Sequence, residues 1–237
     1  METSLTVILP QDGSHNPALG GTLYLLHGRG QSALSWVRHS RIEAYAEKYG
    51  MAVIMPEGAR SFYTDMCYGG DYFSYITEEL PGLCGRMFRI EDAPEKTYIA
   101  GLSMGGYGAL KCAFSRPERY AGCGVFSAVT DIRWRLNNTP LNAPSYRDLQ
   151  GVFGAEPEPG DADDLFALAG PAARAAKRPR LFISCGGEDI RLEQNQRLSA
   201  LLREAGYEHE FQQWPGGHEW DFWEVSIQRA LLFFLGY

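Results

Sequence analysis

The stretch Lys96-Thr97-Tyr98-Ile99-Ala100-Gly101-Leu102-Ser103-Met104-Gly105-Gly106-Tyr107-Gly108-Ala109-Leu110 decides how the rest of the chain is read. Tyr98, Ile99 and Ala100 form a short apolar run of the kind a buried strand needs. The chain then breaks at Gly101-Leu102-Ser103-Met104-Gly105 and resumes at Tyr107 to Phe114, which suits a helix. Strand, sharp turn and helix are the context in which a G-x-S-x-G pentapeptide presents a nucleophilic serine. A serine on so tight a turn has a strained backbone, and side chains two residues either side of it would clash. Gly101 and Gly105 remove those side chains, and Gly106 lets the helix approach the sheet. Ser103 then projects beside the positive end of a helix, where developing negative charge is favoured. The pentapeptide alone is a weak signal in a chain with 27 glycines among 237 residues.

Working outward, the same alternation repeats. Leu5 to Leu9 reads as a first strand, closed by Pro10 and a polar loop over Gln11 to Gly20. Thr22 to Leu26 is a continuous apolar run fit for a central strand, and it delivers His27-Gly28-Arg29-Gly30 at its end. Trp36 to Tyr49 reads as one amphipathic helix stopped by Gly50, and Met51 to Met55 as the next strand. Asp71 to Phe88 is predicted helical, with Asp71 as N-cap and a break or bend at Pro81-Gly82. Strands follow at Gly122 to Phe126, Leu181 to Ser184 and Glu208 to Gln213, and helices at Leu192 to Ala205 and Glu219 to Leu235. Strands alternating with helices imply a single α/β domain with a doubly wound, mostly parallel sheet covered on both faces. Residues 130–170 break the rhythm with four prolines and an acidic cluster, and read as a cap or irregular insertion too short for its own core.

Composition excludes several classes of function. The chain is 45% hydrophobic and 22% charged, ordinary for a globular enzyme-sized domain. Its formal net charge is −7, which argues against nucleic acid or an anionic membrane as partner. No signal peptide or membrane-length apolar run is apparent. The five scattered cysteines (Cys67, Cys84, Cys112, Cys123, Cys185) form no metal-binding or disulfide pattern and read as reduced thiols of a cytoplasmic protein.

A serine needs a base within hydrogen-bond reach and a carboxylate to orient that base. In the α/β-hydrolase plan these follow in the order Ser, Asp or Glu, His. Beyond Ser103 there are two histidines. His209 falls inside a predicted strand among charged residues and is expected to face solvent. His218 follows the flexible Trp214-Pro215-Gly216-Gly217, a loop placed by a rigid scaffold, and is the expected base. Asp189, directly after a buried strand, is the expected acid, with Glu188 and Asp131 as rivals. Two backbone amides should receive the oxyanion: that of Met104, and one from the His27-Gly28-Arg29-Gly30 loop, Arg29 first and Gly28 next. Phe62, Tyr68, Trp214 and Trp220 are candidates to line the substrate pocket, with plain packing as the alternative for each, and no metal or organic cofactor is called for. The Arg29 side chain reads as a solvated surface arginine, with steering of an anionic substrate as the alternative.

Four segments then carry a family resemblance: Leu26-His27-Gly28, Phe62 to Tyr72, Gly101 to Ala109, and Gly217-His218-Glu219-Trp220-Asp221-Phe222-Trp223. They resemble the Putative esterase family across nearly the entire chain. That family includes esterase D (S-formylglutathione hydrolase), antigen 85-type mycolyltransferases, feruloyl esterases and the bacterial tributyrin esterases, the last being most similar. The resemblance implies an α/β-hydrolase fold and an intracellular carboxylesterase for short-chain acyl esters, often oligomeric. It also implies a Ser103–Asp189–His218 triad with the Arg29 and Met104 amides as oxyanion hole. The sequence departs from the family at Arg29 and over residues 130–170, both of which bear on the substrate. A thioesterase, an acetyl or feruloyl esterase and an acyltransferase would use the same triad. A non-catalytic binding module would be expected to lack one of its members.

Overall fold

Four consecutive strands in the middle of the sheet are buried along their whole length, which is what a parallel sheet covered on both faces requires. The computed structural model describes residues 3–11, 20–90 and 93–237. Most of the loop expected after the first strand, residues 12–19, lies outside the described residues. In chain order the elements are β1 (Leu5–Ile8), β2 (Gly21–Leu26), α1 (Ser35–His39), α2 (Ile42–Tyr49), β3 (Met51–Pro56), α3 (Tyr72–Ser74) and α4 (Leu80–Phe88). They continue with β4 (Thr97–Leu102), α5 (Met104–Ser115), β5 (Gly122–Phe126), α6 (Ile132–Asn137), α7 (Pro144–Phe153) and α8 (Leu165–Ala173). The chain closes with β6 (Arg180–Gly186), α9 (Leu192–Glu204), β7 (His209–Trp214) and α10 (Trp220–Leu235).

Among the described residues the strands form one sheet in the order β1-β3-β2-β4-β5-β6-β7, with β1 antiparallel and the others parallel. This is the α/β-hydrolase architecture. Alternating side chains feed two core layers. Leu23, Leu25, Tyr98, Ala100 and Leu102 face Trp36, Trp223, Ile227 and Leu231 on one side. Tyr24, Leu26, Ile99 and Val125 face Tyr107, Leu110, Leu165 and Leu198 on the other. β4 sits centrally, so the carboxyl end that carries Ser103 is held by neighbours on both edges.

Three local expectations are corrected. The helix expected over Trp36 to Tyr49 is two helices, because Ser40 is extended and its hydroxyl bonds back to the Trp36 carbonyl at 2.5 Å. Asp71 occupies the N-cap position of α3 without a side-chain cap bond; Asp65 serves instead, accepting the Ser74 amide at 2.9 Å and hydroxyl at 2.7 Å. The chain does not break at Pro81-Gly82. It remains helical, with a wide π turn at Tyr75–Glu79 just before α4. Pro81 has no N–H to give the Thr77 carbonyl four residues earlier, and the Arg119 guanidinium takes that carbonyl in its place.

Residues 130–170 hold α6, α7 and most of α8. The segment is tied down on α5: the Lys111 ammonium, almost fully buried, meets Asp163 at 2.5 Å and Thr64 at 2.9 Å, and the Tyr107 hydroxyl donates to the Asp163 carbonyl at 2.6 Å. No helix among the described residues is long and apolar enough to cross a membrane.

Candidate active site

β4 ends at Leu102 and α5 begins at Met104, so Ser103 alone makes the turn, at φ 53° and ψ −112°. That positive φ is strained for a residue with a side chain and survives because the surroundings fix it. The Ser103 amide donates to the Phe126 carbonyl at 2.8 Å, and its carbonyl accepts from Tyr107 and Val129, each at 3.2 Å. The elbow is also too crowded for side chains. A Cβ on Gly101 would lie 2.4 Å from the Gly105 carbonyl, and one on Gly105 would lie 2.4 Å from the Leu26 oxygen. A Cβ on Gly106 would come within 2.8 Å of the Ala128 Cβ, so this helix sits against the loop after β5 only because the position is glycine.

Ser103, His218 and Asp189 come together. The His218 Nε2 lies 3.0 Å from the Ser103 hydroxyl, and its Nδ1 lies 3.0 and 3.1 Å from the two Asp189 oxygens. With the Nδ1 proton directed at the carboxylate, Nε2 is left to accept the serine proton. The Asp189 side chain is fully buried while that of His218 is partly open to solvent. Burial pushes the Asp189 carboxyl up, but the His218 ring, helped by the Arg191 amide at 2.8 Å, holds it below its ordinary value. The two loops that carry the base and the acid are stitched to each other. Glu188 accepts the Gly216 amide at 2.5 Å and returns its own amide to the Gly216 carbonyl at 3.1 Å.

The rival acids are thus occupied elsewhere. Glu188 braces the histidine loop, and Asp131 caps α6 through the Trp134 amide at 2.8 Å while pairing with Arg197 at 2.9 Å. His209 does not face solvent as expected: it is half-buried, 2.7 Å from the Ser199 hydroxyl and 2.9 Å from the Tyr207 carbonyl, and burial lowers its pKa.

In the loop after β2 the Gly28 amide is already engaged, donating to the Gln31 side chain at 2.8 Å. The Arg29 and Met104 amides have no acceptor among the described residues. The Arg29 side chain is not freely solvated. Its Nε lies 2.6 Å from an Asp148 oxygen on α7, and Arg60 reaches the other oxygen at 3.4 Å. Beneath the loop, the buried His27 ring contacts Glu57 at 3.1 Å, and the Tyr63 hydroxyl holds the His27 carbonyl at 2.9 Å.

Of the four pocket candidates, Phe62 is buried in the core edge-on to Tyr107, and Tyr68 is largely exposed. Trp214 stacks on Phe222 under the Arg229 guanidinium, and Trp220 packs between His39 and Trp36. None of them touches a triad residue through a hydrogen bond or ring contact among the described residues. The aromatic ring that does touch the site is Trp223, edge-on to His218 at 5.0 Å. It lies five residues beyond His218 in the stretch Gly217 to Trp223, so one turn of helix after the base was its available signal.

A serine hydroxyl bonded to an imidazole that is bonded to a buried carboxylate, at the end of a helix with free amides, can perform nucleophilic acyl transfer. The comparisons agree. The model of the Putative esterase family matches residues 1–234. An acetyl esterase of Caldicellulosiruptor saccharolyticus is 32% identical over 216 residues, 88% of this chain and 81% of that protein. An S-formylglutathione hydrolase of Mus musculus is 29% identical, covering 74% of this chain and 67% of its own length. Among solved structures, the substrate-bound fluorophosphonate-binding serine hydrolase F of Staphylococcus aureus superposes with a TM-score of 0.88 at 30% identity, over 99% of this chain and 93% of that one. With the match running almost end to end, the chain belongs to the Putative esterase family and is a carboxylic ester hydrolase.

Proposed function

We propose that this enzyme hydrolyses short-chain acyl esters through a Ser103–His218–Asp189 triad and an acyl-enzyme intermediate. The observation that carries the reading is the unbroken relay from Ser103 through His218 to Asp189, every contact within about 3 Å. Ser103 Oγ attacks the ester carbonyl carbon as its proton passes to His218 Nε2, and Asp189 stabilises the imidazolium. The tetrahedral oxyanion is received by the Arg29 and Met104 amides. His218 returns the proton to the departing alcohol oxygen, leaving the acyl group on Ser103. Water then gives its proton to His218, attacks the acyl carbon, and the acid leaves as Ser103 regains a proton.

Thioester hydrolysis is the second reading, favoured by the similarity to the mouse S-formylglutathione hydrolase. The same triad serves both, and relative rates on matched thio- and oxyesters separate them.

The test is hydrolysis of p-nitrophenyl acetate, butyrate and octanoate by wild type and Ser103→Ala. Turnover of the short esters with a loss of about 10³-fold or more in the variant supports the reading. Equal rates in the two proteins remove Ser103 from the chemistry, and a preference for octanoate removes the short-chain assignment.

A further inference from the structure

Among the described residues, two arginines share one carboxylate and two more have none. Asp148 is shared by Arg29 and Arg60. Two more arginines, Arg135 on α6 and Arg191 at the start of α9, form no ion pair among the described residues, and the Nε of each is buried without a hydrogen-bond partner. Arg191 is 7% exposed, an extreme position for an unpaired guanidinium. It is anchored to the site by its own backbone, since its amide donates to Asp189 at 2.8 Å.

The backbone around Arg191 is linked to the turn that carries Ser103. The Asn195 amide group on α9 bonds the Ala128 carbonyl and the Arg191 carbonyl, each at 2.9 Å, and the adjacent Val129 amide bonds the Ser103 carbonyl at 3.2 Å. Arg135 lies close enough to Arg191 and to Arg29 to feel both charges. Burial first, and then those two neighbours, push its guanidinium down to about 10, with Asp148 pulling the other way. Arg191 is likewise lowered by burial, and Asp189 is its principal counter-charge. Both oxygens of that carboxylate face the His218 ring, and one also takes the Arg191 amide.

We propose that Arg135 and Arg191, together with Arg29, form an anion subsite next to Ser103, and that the ester this enzyme turns over carries a carboxylate. The proposal rests on the esterase reading above and deepens it by naming the substrate class. A carboxylate would supply the planar, paired acceptor that the Arg135 and Arg191 guanidinium groups lack within the chain. In a protein with a net charge of −7, a local excess of guanidinium also selects which esters approach the serine. The charge can reside on the acyl part or on the alcohol part, and the chemistry of recognition is the same.

Two matched pairs of esters distinguish these sources. The p-nitrophenyl monoester of glutaric acid against p-nitrophenyl valerate reads the acyl side, and 4-acetoxybenzoate against its methyl ester reads the alcohol side. In at least one pair, wild type is expected to have the higher kcat/KM on the anion. Arg135→Met is expected to lower that anion-to-neutral ratio by about tenfold or more, and Arg135→Lys to retain most of it. A ratio favouring the neutral ester in both pairs, or one unchanged in Arg135→Met, overturns the proposal.

A binding experiment separates failure of the subsite from failure of the esterase reading. In Ser103→Ala, calorimetry is expected to detect monomethyl glutarate but not dimethyl glutarate, and the Ser103→Ala/Arg135→Met protein is expected to lose the difference. If wild type hydrolyses no ester, the esterase reading falls. This titration then decides the subsite alone, and equal binding of the two glutarates overturns it.

Discussion

The Trp223 indole stands edge-on to the His218 imidazole, ring centres 5.0 Å apart and planes at 90°. Trp223 is nearly fully buried on α10 and is itself braced by Trp220 at 5.3 Å, so the base leans on a fixed wall rather than on mobile loop. Edge-to-face pairs are worth about 0.5–1.5 kcal/mol beyond the area they bury. Trp223→Phe is therefore expected to lower kcat by about 2- to 10-fold with little change in KM. Trp223→Ala should in addition cost about 3–5 kcal/mol of stability. Steady-state kinetics and thermal unfolding of the two variants check this.

Asp189→Asn keeps the shape of the acid and removes its charge. The imidazole then loses both its preferred tautomer and the stabilisation of its charged form, and kcat is expected to fall by about 10²–10⁴-fold. Because His218 holds the wild-type carboxyl below its usual value of 3.8, the group is ionised at every pH above that value. Its contribution to stability is complete there and is lost as pH falls through the lower native-state value. A variant within twofold of wild type at pH 8 would remove Asp189 from the mechanism.

Glu57 gives the chain a second acid-sensitive point. The His27 contact, followed by the amides of Ala59 and Ala33, brings its carboxyl down from 4.5 to about 2 against the effect of burial. A depressed carboxylate stabilises the native state fully above its unfolded value, and that stabilisation drains away as pH falls from about 4.5 to about 2. Glu57→Gln is expected to lower Tm at pH 7 and to flatten the dependence of Tm on pH within that window. Parallel Tm curves for the two proteins would contradict this.

Gly105→Ala tests the elbow without touching its chemistry. The new methyl would meet the Leu26 and His27 carbonyls at 2.4 and 2.7 Å, both backbone atoms that cannot swing aside. Overpacking of this kind costs about 1–3 kcal/mol, and the strand that carries the His27 loop must shift to relieve it. Lower Tm together with loss of esterase activity is expected. Wild-type values for both would show that the elbow has room that its geometry denies.

The elements, and the three residues that the structure brings together, Ser103, Asp189 and His218, were readable because local pattern marks each of them. The apolar runs of β2 to β5 announce burial on both faces, and the elbow, Asp189 and His218 each mark a strand end. What escaped is what distant residues decide. The helix from Trp36 to Tyr49 splits where Ser40 turns its hydroxyl back on Trp36 and Glu224 takes the Arg41 amide from 183 residues away. Pro81 stays within a helix because Arg119 satisfies the carbonyl it orphans. Arg29 looked solvated because Asp148, 119 residues further on, is invisible to local pattern. Phe62 could be read either as pocket lining or as core packing because aromatic composition does not say which way a ring faces, and here it is buried edge-on to Tyr107.

The hydrogen bond between Ser103 and His218 spans 115 residues of chain, and that between His218 and Asp189 spans 29. The nucleophile rests on the centre of the sheet, whereas the base follows β7, the outermost strand beside β6. Recovery of activity during refolding therefore reports on contacts made far apart in the chain. It cannot precede addition of β7 to the growing sheet and seating of α10, the slow, non-local steps of a parallel fold. If the proposed triad is the catalytic one, intermediates holding only the central strands are silent in any rate assay.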